Sequence, residues 1–526
     1  MDQLKFDKIP MNKITILSIT ILLLLTGCKS EFNAGNMNQR YYVDSQAGDD
    51  KHSGTSPEKA WKSLQRIAKQ ALKPGDKIFL CRGSHFQGSL KLDDLEGTKE
   101  LPVIITSYGN GNAFIESGDS LAILAINCKY LKIKNIQVSG SGRLNGNNTN
   151  GIELINCKFS EIDSVTANDF FYSGIRVTGG TDIRITNSRA YDNGFCGINV
   201  ESGESEYGTD GSAYKTMKRL YIGYCIAGNN PGCPAIKNNH SGNGILIGGV
   251  SNGIIEYCEA MYNGWDMPRE GNGPVGIWAY MSDSITIQYC YSHHNKTSAR
   301  GKDGGGFDFD GGMRYSVMQY NLSAFNEGAG YGIFQYAGAP EWVDNIIRYN
   351  ISYNDGSKNG QCGILIWCDP AAVPMNNFHA FNNTIVNNYA YGINFEPGAY
   401  NGFLFENNII QITGATEKFI GGKFTLAAFD KNLYWSDLKA KKRISQPKAG
   451  LDKKALYADP RLVLPVTDTV LLNNTLYPPG LKYFYLQDGS DCIKAGNNIA
   501  DNGGFDFWKN NLHTGINPNI GAWQGE

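Results

Sequence analysis

GIWAY at residues 276–280, followed by SITIQYCYSHHN at 284–295, forms a unit that the chain repeats. A glycine opens the unit, apolar and other residues alternate, and a second alternating run ends on asparagine. The opening returns as GIELI (151–155), GIRVT (174–178), GINVE (197–201), GILIG (244–248), GFDFD (306–310), GIFQY (332–336), GILIW (363–367) and GINFE (392–396). The closing run returns as YSVMQYNLSAFN (315–326) and NIIRYNISYN (345–354). Period-two alternation with β-branched and aromatic residues reads as strands, and Gly and Asn mark the corners. The spacing between units varies, and no unit carries a long helical period. An all-β chain with variable loops follows. Each strand pairs in parallel with its equivalent one coil away, and the inward side chains stack into one long core, as in a parallel β-helix solenoid.

The corners carry their own pattern. Aligning the closing runs places Cys225, Cys258, Cys290, Asn321 and Asn350 at one position, and Asn263, Asn295, Asn326 and Asn354 at the next. Asparagine tolerates left-handed backbone and bonds its neighbour in a ladder. The chain has 12 cysteines. No two are spaced as CxxC, and setting Cys28 aside leaves an odd number, so neither a zinc site nor a disulfide framework is indicated. The aligned cysteines read as small buried thiols.

The ends differ, as solenoid ends must. Residues 57–72 (PEKAWKSLQRIAKQAL) have Trp61, Leu64, Ile67, Ala68 and Leu72 at helical spacing, which predicts an amphipathic helix over the N-terminal opening of the core. The β-helix body is expected over 41–450, and 451–526 reads as an irregular C-terminal cap. At the start, Lys8 and Lys13 precede an apolar run, Ile14 to Leu25, that is too short to span a bilayer. It ends in Leu25-Thr26-Gly27-Cys28, which resembles a bacterial lipobox. That resemblance implies a signal peptide over 1–28, lipidation of Cys28, a polar tether over 29–40, and an outer-membrane lipoprotein, periplasmic or surface-exposed, held by its lipid alone. The 526 residues include 48 basic and 50 acidic side chains, a net charge of −2, so bulk electrostatics does not favour nucleic acid.

YYVDSQAGDDKHSGTSPEKAWKSL with the later KPGDKIFLCRG resembles the entry to right-handed parallel β-helix proteins of the pectate-lyase-like superfamily. LQDGSDCIKAG and NIGAWQ resemble their C-terminal end. The resemblance implies that fold and points to carbohydrate-active lipoproteins of Bacteroidota. It does not fix an activity, because the superfamily hosts hydrolases, lyases, epimerases and adhesins. The Asn-Thr-Asp, Asp-Asp, Gly-His-Gly and Arg-Ile-Lys motifs of its polygalacturonase-type hydrolases are missing, so those residue roles do not carry over.

DGGGFDFDGG (303–312) stands apart from the other units. Aligned with them, Phe307 and Phe309 point inward, so Asp308 and Asp310 share the outer face. The alignment stacks Trp278, Asp308, Phe334 and Leu365 in one column. Tyr280, Asp310, Tyr336 and Trp367 fall in the next, with Glu396 a coil further on. Aromatic rings on an outer face suit the C–H faces of sugars. Two carboxylates roughly 6.5–7 Å apart along a strand suit glycoside hydrolysis, and the spacing favours an inverting pair. Like charges set side by side raise one pKa and so separate acid from base. Asp308 and Asp310 are the expected pair, with Asp303, Asp266 or Glu270 able to supply one member. Loops 264–275 and 296–305 enter the same edge with Trp265, Asp266, Arg269, Glu270, Arg300, Lys302 and Asp303, preceded by His293 and His294. Glu270, Arg300, Lys302, His293 and His294, with Trp278, Tyr280, Phe334, Tyr336, Trp367 and Glu396, are the expected substrate-binding groups.

The expected function is a glycosidase acting on a polysaccharide or oligosaccharide without a metal or other cofactor. A polysaccharide lyase is the first alternative, with Lys302 or Arg300 as base and Ca²⁺ held by the aspartates. A non-catalytic glycan-binding surface protein is the second.

Overall fold

The computed structural model describes residues 38–203, 217–389, 391–413, 419–424, 426–436, 451–467, 480–512 and 515–525. The signal segment and Cys28 lie outside them. Among the described residues three long parallel sheets hold 14, 12 and 13 strands, and each strand pairs with its equivalents one coil before and after. The chain visits the three sheets in turn, as a right-handed parallel β-helix does. Alternation sends one side chain in two inward: Ile245, Ile247, Ile277, Ala279, Phe307 and Phe309 all join one continuous buried core.

A glycine column marks the entry to the 12-stranded sheet. A β-carbon on Gly276 would collide with Ser292 and Asn295 of the neighbouring corner and with the Gly306 carbonyl. Only a residue with no side chain lets the coil close there.

Two asparagine ladders line the corners. In one, Asn193 donates to Asn230, Asn230 to Asn263, Asn263 to Asn295, Asn295 to Asn326 and Asn326 to Asp355, with side-chain distances of 2.8–3.1 Å. In the other, Asn321 leads through Asn350, Asn383, Asn408 and Asn432 to Asp452. Cys258 and Cys290 continue this second column upward, since the Cys290 N–H donates to Asn321. All eleven described cysteines are free thiols, and all but Cys81 are buried.

Two expectations about the corners need correction. Asn354 is not in the first ladder: Asp355 is, and Asn354 sits one place earlier with φ 52°. The ladder residues also do not adopt left-handed backbone. Their predecessors do: Tyr262, His294 and Phe325 precede Asn263, Asn295 and Asn326, with φ of 55°, 54° and 57°. The sharp turn is made one residue early, which aims the following amide inward. Non-glycine residues pay for this conformation. Stacking offsets part of the cost in the second column, where Tyr257, Tyr289 and Tyr320 lie 5.2 and 4.9 Å apart between ring centres.

The N-terminal helix is shorter than its apolar spacing suggests. It covers Leu64–Ala68, capped by the Ser63 hydroxyl, and Pro57–Lys59 forms one 3₁₀ turn. Trp61 is fully buried in extended backbone, bridging to Val43. Residues 480–512 and 515–525 supply side chains to the outer face of the 13-stranded sheet. There Leu481, Phe484, Phe507, Ile520 and Ala522 pack on Leu322, Ile351, Val386 and Ile409.

Candidate active site

The Gly305–Phe309 strand lies between Val275–Tyr280 and Tyr331–Gln335 in the 12-stranded sheet. Asp308 faces Trp278 on one side and Gly332 on the other. Gly332 in turn faces Leu365, and Phe334 faces Trp367. The expected columns therefore shift by two residues at one coil. YGI, not GIF, occupies the register, because Gly330 rather than Gly332 sits in the glycine column. Phe334 moves two places along the strand, and Gly332, with no side chain, takes its place opposite Asp308 and leaves room for the Phe334 ring to lie over it.

Four loops rise over this face: 231–242, 264–274, 296–304 and 355–363. They are bound to one another. Lys302 N–H donates to the Gly271 carbonyl at 2.5 Å, and Gly273 N–H donates to Asp303 Oδ2 at 2.6 Å. The Thr297 hydroxyl donates to the Lys302 carbonyl, and Lys358 Nζ donates to the Thr297 carbonyl. Loops fixed in this way hold side chains to a defined geometry.

Loops and sheet enclose a cavity of about 360 Å³. Asp303, Asp308, Asp310, Trp278, Tyr280, Phe334, Tyr336, Trp367, Glu396 and Lys302 all line it. Five other expected site residues are elsewhere. Asp266 pairs with Arg143 at 2.7 Å, and Glu270 and Arg300 form an exposed ion pair at 3.1 Å on the loops. His293 belongs to the 13-stranded sheet, where its ring stacks on Tyr291 and its Nε2 meets Glu259 Oε1 at 3.1 Å. His294, beside it, packs between Tyr262 and Phe325 and is pushed down to about 4 by burial and by His293. The Tyr291–His293 strand runs before the turn into the 296–304 loop, so proximity in sequence places both histidines on a different face. His240, Asn239, Asn272 and Gln361 line the cavity and were not singled out by the sequence. Their loops carry no alternation, so nothing in the repeat pattern marks them.

The three aspartates differ in setting. Asp308 is 3% exposed, and its Oδ1 has no hydrogen-bond partner. Burial first, then the charges of Asp310 and Asp303, push its pKa well above the carboxylate range. Asp310 is half-buried and its Oδ1 accepts the Gly311 N–H at 2.8 Å. Burial raises it to about 7, against that hydrogen bond, with Asp303 adding to the rise. Asp303, also half-buried, has φ 58°, followed by Gly304 at 76°. Burial lifts it to about 6. The Gly273 N–H, Lys302 and Arg269 hold it down, while Glu396 opposes them. Among the described residues no group of three or more His, Cys, Asp or Glu is placed to hold a metal ion.

Known proteins share this architecture. The chain matches solved parallel β-helices along most of its length. It has the fold of the pectate-lyase-like superfamily. Superposition on the GH136 lacto-N-biosidase from Eubacterium ramulus covers 69% of this chain and 66% of that one, with a TM-score of 0.54 and 19% identity. A PL6 family alginate lyase gives a TM-score of 0.54 and 16% identity, over 92% of this chain and 57% of that one. In sequence, 75 residues are 40% identical to a lacto-N-biosidase of Bifidobacterium longum subsp. longum; the match spans 14% of this chain and 5% of that protein. The chain thus spans less than two thirds of these relatives. No family model matches it.

Proposed function

We propose that the protein is a glycoside hydrolase acting on an oligosaccharide or polysaccharide, with Asp303 and Asp310 as its working carboxylates. One observation carries this reading: two half-buried aspartates and one buried aspartate converge in a cavity walled by Trp278, Tyr280, Phe334, Tyr336 and Trp367. The sequence alone treats Asp308 and Asp310 as equivalents. Their burial separates them. Asp308, buried in the floor, stays protonated and adds no charge. Asp310, titrating near neutrality, holds a proton for the departing glycosidic oxygen. Asp303, the lowest of the three and flanked by Lys302 and Arg269, supplies the carboxylate that faces the oxocarbenium-like transition state; water adds to the anomeric carbon to complete the hydrolysis, and its proton returns to the carboxylates. The aromatic walls take the apolar faces of the sugar. The lacto-N-biosidase relatives, which are glycosidases by name, support the same reaction class.

A lyase is the second reading, supported by Arg269 and Lys302 in the same cavity and by the alginate lyase fold match. A panel of neutral, N-acetylated and uronic-acid oligosaccharides separates the two. New reducing ends without an unsaturated product support the hydrolase. An unsaturated uronide, seen by its ultraviolet absorbance, supports the lyase. Binding without turnover supports a glycan-binding protein.

Anchoring through Cys28 completes the proposal and places the site at the cell envelope, facing outward or into the periplasm. Cys28→Ser is expected to move the protein from the membrane pellet to the soluble fraction. Retention in the pellet removes the anchor from the proposal.

A further inference from the structure

Asn243 opens a strand of the 12-stranded sheet and is fully buried. Its Oδ1 accepts from the Trp278 indole Nε1–H at 3.1 Å and from the Val275 N–H at 3.4 Å. Its Nδ2 donates to the Phe195 carbonyl at 3.1 Å and faces His240 Nδ1 at 3.0 Å. An indole and a backbone N–H only donate, and a carbonyl only accepts. These three partners fix the orientation of the amide without reference to the histidine. The atom facing His240 Nδ1 is therefore an N–H, and Nδ1 must accept.

An imidazole whose Nδ1 accepts carries its ring proton on Nε2. Two aromatic rings pack against it: Phe195 stacks at 5.6 Å and Trp278 meets it in a T-shaped contact at 5.0 Å. Burial and the nearby Arg269 push His240 down to about 4, so the ring is neutral at pH 7. His240 Nε2 makes no hydrogen bond to any described residue, and the side chain lines the cavity.

We propose that His240 is a specificity-determining residue that presents a fixed Nε2–H donor to an acceptor oxygen of the bound sugar, with Asn243 as its positioning residue. This rests on the glycosidase reading above. The donor is neutral, directional and fixed before the sugar arrives. It favours a sugar with a carbonyl or hydroxyl oxygen at that point and rejects one that offers only a donor or a methylene there. Asn243 itself is sealed from the cavity by its four partners and acts through the ring; Asn243→Asp keeps the oxygen that the Trp278 indole needs, so that variant changes only the Nδ2 side, toward His240 and the Phe195 carbonyl.

Two measurements on the full chain test this. Ring-nitrogen NMR of ¹⁵N-histidine-labelled protein at pH 7 reads the tautomer, with the His240 signals identified by their loss in His240→Gln. The proton is expected on Nε2. Asn243→Asp sets an oxygen where Nδ2 stood and is expected to move the proton to Nδ1. On the panel oligosaccharide that the wild type cleaves fastest, His240→Ala is expected to raise KM about tenfold and leave kcat within about threefold. His240→Gln, which keeps an N–H donor, is expected to recover most of that loss, and Asn243→Asp to match His240→Ala. A proton on Nδ1 in the wild type, a charged ring at pH 7, or an unchanged KM in His240→Ala overturns the proposal. A panel with no turnover by the wild type overturns the glycosidase reading and this role with it. Turnover that ignores His240 overturns this role alone.

Discussion

Gly332 faces Asp308 across the parallel ladder, and a β-carbon built on it would stand 3.0 Å from Asp308 Oδ1 and 2.7 Å from the Phe334 ring. The floor of the cavity thus depends on a missing side chain. Gly332→Ala is expected to displace Phe334 or the buried acid, because both contacts are tighter than van der Waals packing allows. A fall in kcat/KM of at least about tenfold, with a melting temperature only a few degrees lower, checks this.

The aspartate roles separate by substitution. Asp303→Asn and Asp310→Asn are each expected to lower kcat by about 10²–10⁴ in a folded protein. Asp308→Asn mimics a carboxyl that is already neutral, so its activity is expected to stay within about tenfold of wild type. Equal, large losses in all three would return Asp308 to the reacting pair.

The pH profile follows from the same assignment. Asp303 must be ionised, so activity rises as pH climbs past about 6. Asp310 must be protonated, so activity falls as pH passes about 7. A narrow bell between these values is expected in kcat/KM of the free enzyme. Its alkaline limb should vanish in Asp310→Asn, measured on a substrate with a leaving group good enough to depart unprotonated.

Asp355 ends the first asparagine ladder, fully buried, and burial raises it to about 6. A carboxyl whose pKa is raised in the fold binds a proton more tightly there than in the unfolded chain. It therefore costs stability increasingly as pH rises from about 4 to about 6, by a few kcal/mol in total. Asp355→Asn keeps an oxygen for Asn326 and removes the charge. The variant is expected to gain melting temperature at pH 8 and little at pH 4. An equal change at both values would show that the charge is not responsible.

Asn295 accepts from both the backbone N–H and the Nδ2 of Asn263. Asn295→Ala leaves two buried donors without partners, at about 1–3 kcal/mol each. Denaturant unfolding should show a drop of about 3 kcal/mol or more, while Asn295→Asp, which keeps the oxygens, should lose less.

Much of the fold was legible because β-structure writes its period into the chain. The alternation in GIWAY or GFDFD fixes which residues point inward, and the corner asparagines repeat because each needs the next as acceptor. Legibility failed where two residues met the same requirement. In AGYGIF, Gly330 and Gly332 both fit the glycine column, and only coil closure against Ser352 and Asp355 selects Gly330. Asn354 and Asp355 posed the same ambiguity at a corner. The helix shortened because Trp61 finds its partners in extended backbone, beside Val43 and stacked on Tyr41, and tertiary packing overrides spacing. At the site, the sheet residues Asp308, Asp310, Trp278 and Trp367 could be read from register. The loop residues could not: His240 lies three residues before Asn243 in a stretch without period. Its role emerges only when Phe195, from an earlier coil, lies against it.

Each asparagine column has a direction. Every amide passes its hydrogen bond toward the C-terminal coils, and each column finishes on a carboxylate that only receives, Asp355 in one and Asp452 in the other. A rung can be spliced between two amides without breaking the sense of the chain, since donor still meets acceptor above and below. The terminal rung cannot be copied the same way, because a second ionised carboxylate placed after the first would offer it no proton. Each column can therefore lengthen by duplication among its amides but not at the rung where its acid sits.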